Sequence, residues 1–216
     1  MKKGVAELIG TYALVFCGTG AIVIDQVTGG SVTHVGVAVT FGLIVLAMIY
    51  SLGDISGAHI NPAVSIAFLV SGRLPKRDAA IYIAMQFAGA LLASVSLKLL
   101  FPTNETLGAT IPAGSNMQSF ILETILAFFL MFVILNVSTG AKEKGITAGI
   151  AVASVIGLEA MFAGPICGAS MNPARSIAPA LVSGNMAIIS CQWIYLIAPV
   201  LGAYLAVIIF TKITHE

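Results

Sequence analysis

Two stretches of this chain carry nearly the same phrase. ISGAHINPAVSIA begins at Ile55 and ICGASMNPARSIA at Ile166, so Asn61-Pro62-Ala63 and Asn172-Pro173-Ala174 stand 111 residues apart in a chain of 216. From each Asn runs a short apolar segment, 61–71 and 172–182, ended by Ser71-Gly72 and Ser183-Gly184. Asn is a favoured N-cap, Pro suits the first helical position, and Gly suits the position after the last. Ten residues of helix rise only ~15 Å, half of the ~30 Å hydrocarbon core of a bilayer. A chain with two such segments must join them to longer elements and must deal with two helix starts far from any end of a span.

The longer elements are present. Six apolar runs, roughly 4–25, 33–53, 78–101, 117–137, 145–163 and 190–212, reach the ~20 residues that a crossing helix needs. Hydrophobic residues make up 58% of the chain and charged residues 9%, against about a quarter charged in soluble domains. That surface requires lipid around it. The net charge of +1 comes without a basic stripe or nucleic-acid module, so no nucleic-acid partner is expected. The first run follows Lys2 and Lys3 but is too long for a signal peptide and contains Glu7, so it reads as a first span. Cys17, Cys167 and Cys191 form neither a disulfide framework nor a zinc pattern.

Orientation follows from the basic residues. With the N-terminus in the cytoplasm, eight of the ten Lys and Arg (2, 3, 73, 76, 77, 142, 144 and 212) fall inside, as the positive-inside rule requires. Both termini are then cytoplasmic. Three spans separate the two phrases, so the copies point in opposite directions and meet start to start near the midplane. The expected fold is an all-α membrane protein of six transmembrane helices plus two re-entrant half-helices. It forms a single domain, 1–216, made of inverted repeats about 1–101 and 117–216. Glu7 pairs with Glu123 and Gly89-Ala90 with Gly202-Ala203 in this duplication.

Helices meeting head-on leave orphan backbone N–H groups at both starts, which must be satisfied by protein or face a watery cavity. Asn61 and Asn172 can cap the helices and offer amides to a solute. Pro62 and Pro173 each remove one orphan donor. Two helix dipoles place roughly half a positive charge each at the junction, a field that repels cations and protons. Gly57-Ala58-His59 and Gly168-Ala169-Ser170 are small enough for their carbonyls to line a narrow pore. Arg175 stands where the first copy has Val64, and a buried arginine in a membrane marks function. Glu7 and Glu123 are expected to accept hydrogen bonds from the irregular segment before each half-helix. Glu159 is expected at a loop or an outer vestibule, and His59 either holds its loop or lines the pore.

Taken together, these features resemble the aquaporin family of major intrinsic proteins over the whole chain. The resemblance implies a homotetramer with one pore per subunit, passing water and small neutral solutes without a cofactor. It also carries over an outer selectivity filter by spacing from the Asn-Pro-Ala motifs: Phe41 twenty residues before the first Asn, Ala160 twelve and Ala169 three before the second, and Arg175. Strict water channels of the family usually have His at the Ala160 position. The wording FAGPICGASMNPARS and IYSLGDISGAHINPAVSIAF is similar to the nodulin-like intrinsic proteins of plants and their bacterial relatives, a branch that conducts glycerol, urea and metalloid acids such as boric or arsenious acid. On this basis the expected setting is the cytoplasmic membrane of a prokaryote. Ser176 stands where glycerol facilitators have Asp and is as in water channels, while Tyr195-Leu196 in the last span fits neither branch cleanly.

Three other readings are weaker. A strict water channel would need a narrower filter. An ion-coupled transporter also uses inverted repeats and broken helices, but it needs a titratable pair or cation site at the midplane, where this chain offers asparagines. An enzyme is not expected, since there is no metal spacing, GxSxG or phosphate loop.

Overall fold

The computed structural model describes residues 1–139 and 142–214; the side chains of 142–146, including Lys142 and Lys144 of the orientation count, lie outside the described residues. Among the described residues the order is α1 (Lys2–Val27), α2 (Thr33–Ser56), α3 (Pro62–Val70), α4 (Lys76–Leu100), α5 (Asn116–Val137), α6 (Lys142–Cys167), α7 (Pro173–Ser183), α8 (Met186–Ser190) and α9 (Trp193–Thr214). Six stretches are long and apolar enough to span: α1, α2, α4, α5, Thr147–Cys167 of α6, and Met186–Thr214, which runs through α8 and α9. The last begins a turn earlier than its expected start at 190. Asn185 caps α8 by accepting from the Ala187 N–H at 3.0 Å.

α3 and α7 are the two half-length segments. Asn61 and Asn172 are extended N-caps whose side chains accept from the first free backbone donors, and Pro62 and Pro173 occupy the first helical position. Gly72 and Gly184 follow at φ 73° and 71°, the left-handed conformation that ends a helix and that glycine adopts without a Cβ penalty.

The long helices pair in a repeated way: α1 packs on α4, α5 on α9, and α2 on α6 between them. Glycine sets these crossings. A Cβ on Gly89 of α4 would fall 2.3 Å from the Leu8 carbonyl of α1, and one on Gly202 of α9 would fall 2.1 Å from the Thr124 carbonyl of α5. On α2, a Cβ on Gly42 would lie 3.0 Å from the Ala153 carbonyl of α6. Backbones touch at these points, as they do where small residues let membrane helices approach. The outer face is apolar, with Leu43, Leu92, Phe129, Leu158 and Ile197 among its exposed side chains.

Gly202→Ala should therefore force α5 and α9 apart and cost about 1–3 kcal/mol. Gly53→Ala in α2, with no atom within 4 Å of the added methyl, should be neutral or gain up to about 1 kcal/mol from helix propensity. Thermal unfolding of both variants in detergent checks this contrast, and equal midpoints would refute the close crossing.

Candidate functional site at the junction of the half-helices

The two half-helices meet at their starts through a reciprocal exchange. The Asn61 amide oxygen accepts from the Ala63 N–H at 2.9 Å, while its amide nitrogen donates to the Met171 carbonyl at 2.7 Å. The Asn172 oxygen accepts from Ala174 and Arg175, while its nitrogen donates to the Ile60 carbonyl at 2.9 Å. Each Asn thus caps its own helix and ties it to the segment that leads into the other. An amide nitrogen carries two hydrogens, so each Asn keeps one N–H beyond this exchange. Both residues line the cavity beside them.

The segments leading into the half-helices are bent in the same unusual way. Ala58 and Ile60 have φ of 46° and 44°, and Ala169 and Met171 have φ of 40° and 52°. Residues with side chains, and a β-branched one above all, avoid this region unless the surroundings over-determine it. Buried carboxylates do so here. Glu7 accepts from the backbone N–H of His59 at 2.9 Å and of Ile60 at 2.7 Å, and also from Ser56 and Gln86. Glu123 accepts from the N–H of Ser170 at 2.7 Å and of Met171 at 2.8 Å. Both glutamates are fully buried. With these donors tied back, the carbonyls of the segments are left for the other side.

The cavity at the junction leaves ≈ 140 Å³ for the centres of water-sized molecules. Gly57, Ala58, His59, Ala169 and Ser170 line it, together with apolar side chains that include Val45, Ile49, Leu130 and Val152. Gly168 does not line it, contrary to expectation. Its N–H is still bonded to the Gly164 carbonyl as the end of α6, and it packs on Thr110, which a Cβ would meet at 2.8 Å. Pro62, Ala63, Pro173 and Ala174 also lie off the cavity. Ala63 packs with Met131 and Ala203, and Ala174 with Val15 and Ala90, so the small third residue of each motif lets its half-helix lie against the long ones.

Phe41, Ala160, Ala169 and Arg175 all line this cavity. Arg175 is 3% exposed; its Nη1 donates to the Gly108 carbonyl at 2.9 Å, and its guanidinium carbon lies 5.0 Å from the centre of the Phe41 ring. Its Nε has no protein partner. Among the described residues, no carboxylate lines the cavity. His59 both lines the cavity and holds its loop: Nδ1 is 3.1 Å from the Ser65 hydroxyl, and the ring stacks on Phe68.

Several contributors were not given these roles from the sequence. Gly108 in the α4–α5 connection holds the arginine, and nothing in its local sequence marks it. Tyr82 and Tyr195 each donate at 2.7 Å to the carbonyl of the last residue of a long helix, Ser56 of α2 and Cys167 of α6. Their signal was legible, since each stands seven residues before the crossing glycine, Gly89 or Gly202. Cys167 is fully buried, with its sulfur accepting from the Ala169 N–H. Glu159 corrects an expectation. It does not line the cavity but is buried at 3% exposure, with one carboxylate oxygen lacking a partner among the described residues.

The model of the family described as "Major intrinsic protein" matches residues 1–210. Aquaporin NIP1-1 of Zea mays is 48% identical over 204 residues, covering 94% of this chain and 71% of its own length. Nodulin-26 of Glycine max is 45% identical over 204 residues, covering 94% and 74%. The solved aquaglyceroporin of Plasmodium falciparum superposes with a TM-score of 0.82 at 25% identity, over 98% of this chain and 96% of that one.

The two buried acids make a test of the scaffold. Glu123→Gln places an amide donor against two backbone donors and should cost about 1.5–3 kcal/mol, the range for hydrogen bonds to a charged group. Glu159→Gln removes a carboxylate that is short of partners and should leave stability unchanged or raise it. Thermal midpoints in detergent measure both, and equal losses would overturn the distinction.

Proposed function

Since the chain belongs to the major intrinsic protein family and is an integral, multi-pass membrane channel for water and small solutes, we propose that its range extends to glycerol, urea and metalloid acids such as arsenious or boric acid, with ions and protons excluded. The observation that carries this reading is the pair of methyl side chains, Ala160 and Ala169, on the cavity wall with Phe41 and Arg175. Arginine supplies fixed donors to a hydroxyl or carbonyl, phenylalanine supplies an apolar face, and the alanines leave room that a histidine would fill. A polyol can then set its hydroxyls against arginine and carbonyls and its carbons against the ring.

Exclusion of ions rests on the same groups. A cation entering here meets two helix starts and a buried guanidinium, and among the described residues no lining carboxylate offsets the loss of its water. A proton relay through the water file is opposed at Asn61 and Asn172, whose N–H groups donate to a passing water oxygen and orient it away from the chain of its neighbours. At the junction itself the described residues supply neutral asparagines instead of a titratable pair, which weighs against coupled transport.

Three further readings belong to this proposal. The chain is one channel domain built of two inverted halves, and four copies assemble with one pore each in a lipid bilayer. Both termini lie in the cytoplasm, from the distribution of Lys and Arg. The relatives described above are plant proteins, so they lend no support to a prokaryotic membrane as the setting.

Stopped-flow light scattering on proteoliposomes tests the solute range. Water, glycerol, urea and arsenite should all flow without saturation at low millimolar gradients. Water flow without glycerol flow would favour the strict water channel, and saturable uptake that follows a proton gradient would sink the channel reading. Ala160→His should reduce glycerol flux far more than water flux, and equal loss of both would remove Ala160 from the constriction.

A further inference from the structure

The outer end of α6 contains a break that the rest of the helix does not repair. Pro165 lies inside α6 and has no N–H, so the carbonyl of Met161, four residues earlier, has no helical donor. That carbonyl is met from another helix. Nε2 of His34, in the first turn of α2, lies 2.6 Å from the Met161 oxygen. A carbonyl can only accept, so the imidazole is the donor and carries its hydrogen on Nε2. Gly164 makes room for the ring, since a Cβ there would fall 3.0 Å from His34 Cε1. The start of α2 is itself fixed, because Asp25 accepts from the N–H of Val32 at 3.0 Å and of Thr33 at 2.7 Å.

The position of this contact matters. Phe41 stands two turns further along α2, and Ala160 immediately precedes Met161 on α6. The separation of α2 and α6 therefore sets the gap between Phe41 and Ala160. The two helices touch backbone to backbone at Gly42 and Ala153. They are joined again at His34 and Met161, and the constriction residues lie along the stretch that these two contacts hold.

We propose that His34 is a positioning residue for the outer constriction: it donates to Met161 the hydrogen bond that Pro165 withholds, and thereby holds the bent end of α6 at the distance from α2 that fixes the opening between Phe41 and Ala160. His34 is absent from the cavity lining and touches no solute; its effect passes through helix spacing. This inference rests on the reading of Ala160 as a constriction residue.

The experiment compares His34→Phe, His34→Gln, Pro165→Ala and the double variant His34→Phe with Pro165→Ala in proteoliposomes. Fluxes of water, glycerol and a four-carbon polyol are normalised to reconstituted protein, and Ala160→His serves as a control. His34→Phe keeps a ring without the donor, and the four-carbon polyol to glycerol ratio should rise about two- to tenfold, the range that one net hydrogen bond is worth. His34→Gln can place an amide N–H at the same point and should keep the parent ratio. Pro165→Ala restores the helical donor, so in that background His34→Phe should no longer change the ratio. A ratio unchanged by His34→Phe while Ala160→His changes it overturns this inference alone. A ratio unchanged by Ala160→His overturns the constriction reading and this inference with it. Independent effects of His34 and Pro165 would also overturn it, as would a Gln variant that behaves like the Phe variant. Should His34→Phe fail to reconstitute, the Gln variant and the Pro165→Ala comparison decide.

Discussion

Two helix starts placed inside a bilayer must have their backbone donors answered without closing the space between them. The reciprocal bonds of Asn61 to Met171 and of Asn172 to Ile60 meet that requirement. Each side chain spends its oxygen on its own helix and one hydrogen on the opposite segment. The junction is thereby rigid, and each Asn retains a donor. No other uncharged side chain offers an acceptor, two donors and the short reach of an N-cap together; Gln has the groups but not the length, and Asp has no donor when ionised.

This arrangement transfers its difficulty to the segments that precede the asparagines. Their carbonyls must point across the junction, which drives Ala58, Ile60, Ala169 and Met171 to positive φ. Glu7 and Glu123 hold them there by accepting the N–H groups on the far side. The carboxylates are costly inside a membrane protein, and the multiple backbone donors offset that cost. The two supports differ in detail. Glu7 has Ser56 and Gln86 as further donors, whereas by the register of the repeat the second half has Cys167 and Pro199 at those places. Glu159 adds another acid to the second half and is itself short of a partner.

Much of this was legible in the sequence because the duplication supplied its own internal comparison. The spans, the half-helices and their caps followed from apolar length and from Asn-Pro and Gly punctuation, which act locally. The pairing of Gly89 with Gly202 pointed to the crossings. What escaped depends on distant chain: Gly108 reaching Arg175, His34 reaching Met161, and the positive φ of Ile60 and Met171, which no local preference of those residues foretells. Gly168 was misplaced for a related reason. Its match to Gly57 in sequence did not reveal that Thr110 would pack over it.

The repeat also shows where the channel stops being symmetric. Applying the 111-residue register, Phe41, Ala160, Ala169 and Arg175 correspond to Val152, Ile49, Ala58 and Val64, and all eight line the same cavity. The inner set is apolar throughout and has no donor, so a solute that passes it exchanges little hydrogen bonding beyond the carbonyls. The outer set has an arginine and an aromatic ring. Duplication gave the cavity two matched sets, and divergence at three positions, Val64 against Arg175, Ile49 against Ala160 and Val152 against Phe41, concentrated the chemical discrimination in one of them. A neutral solute then meets a charged donor at the Arg175 set and uncharged donors at the asparagines of the junction, with apolar side chains along the rest of the wall. That order suits a passive conduit, since the donors met at the asparagines are uncharged and hold a neutral solute less tightly than a guanidinium does.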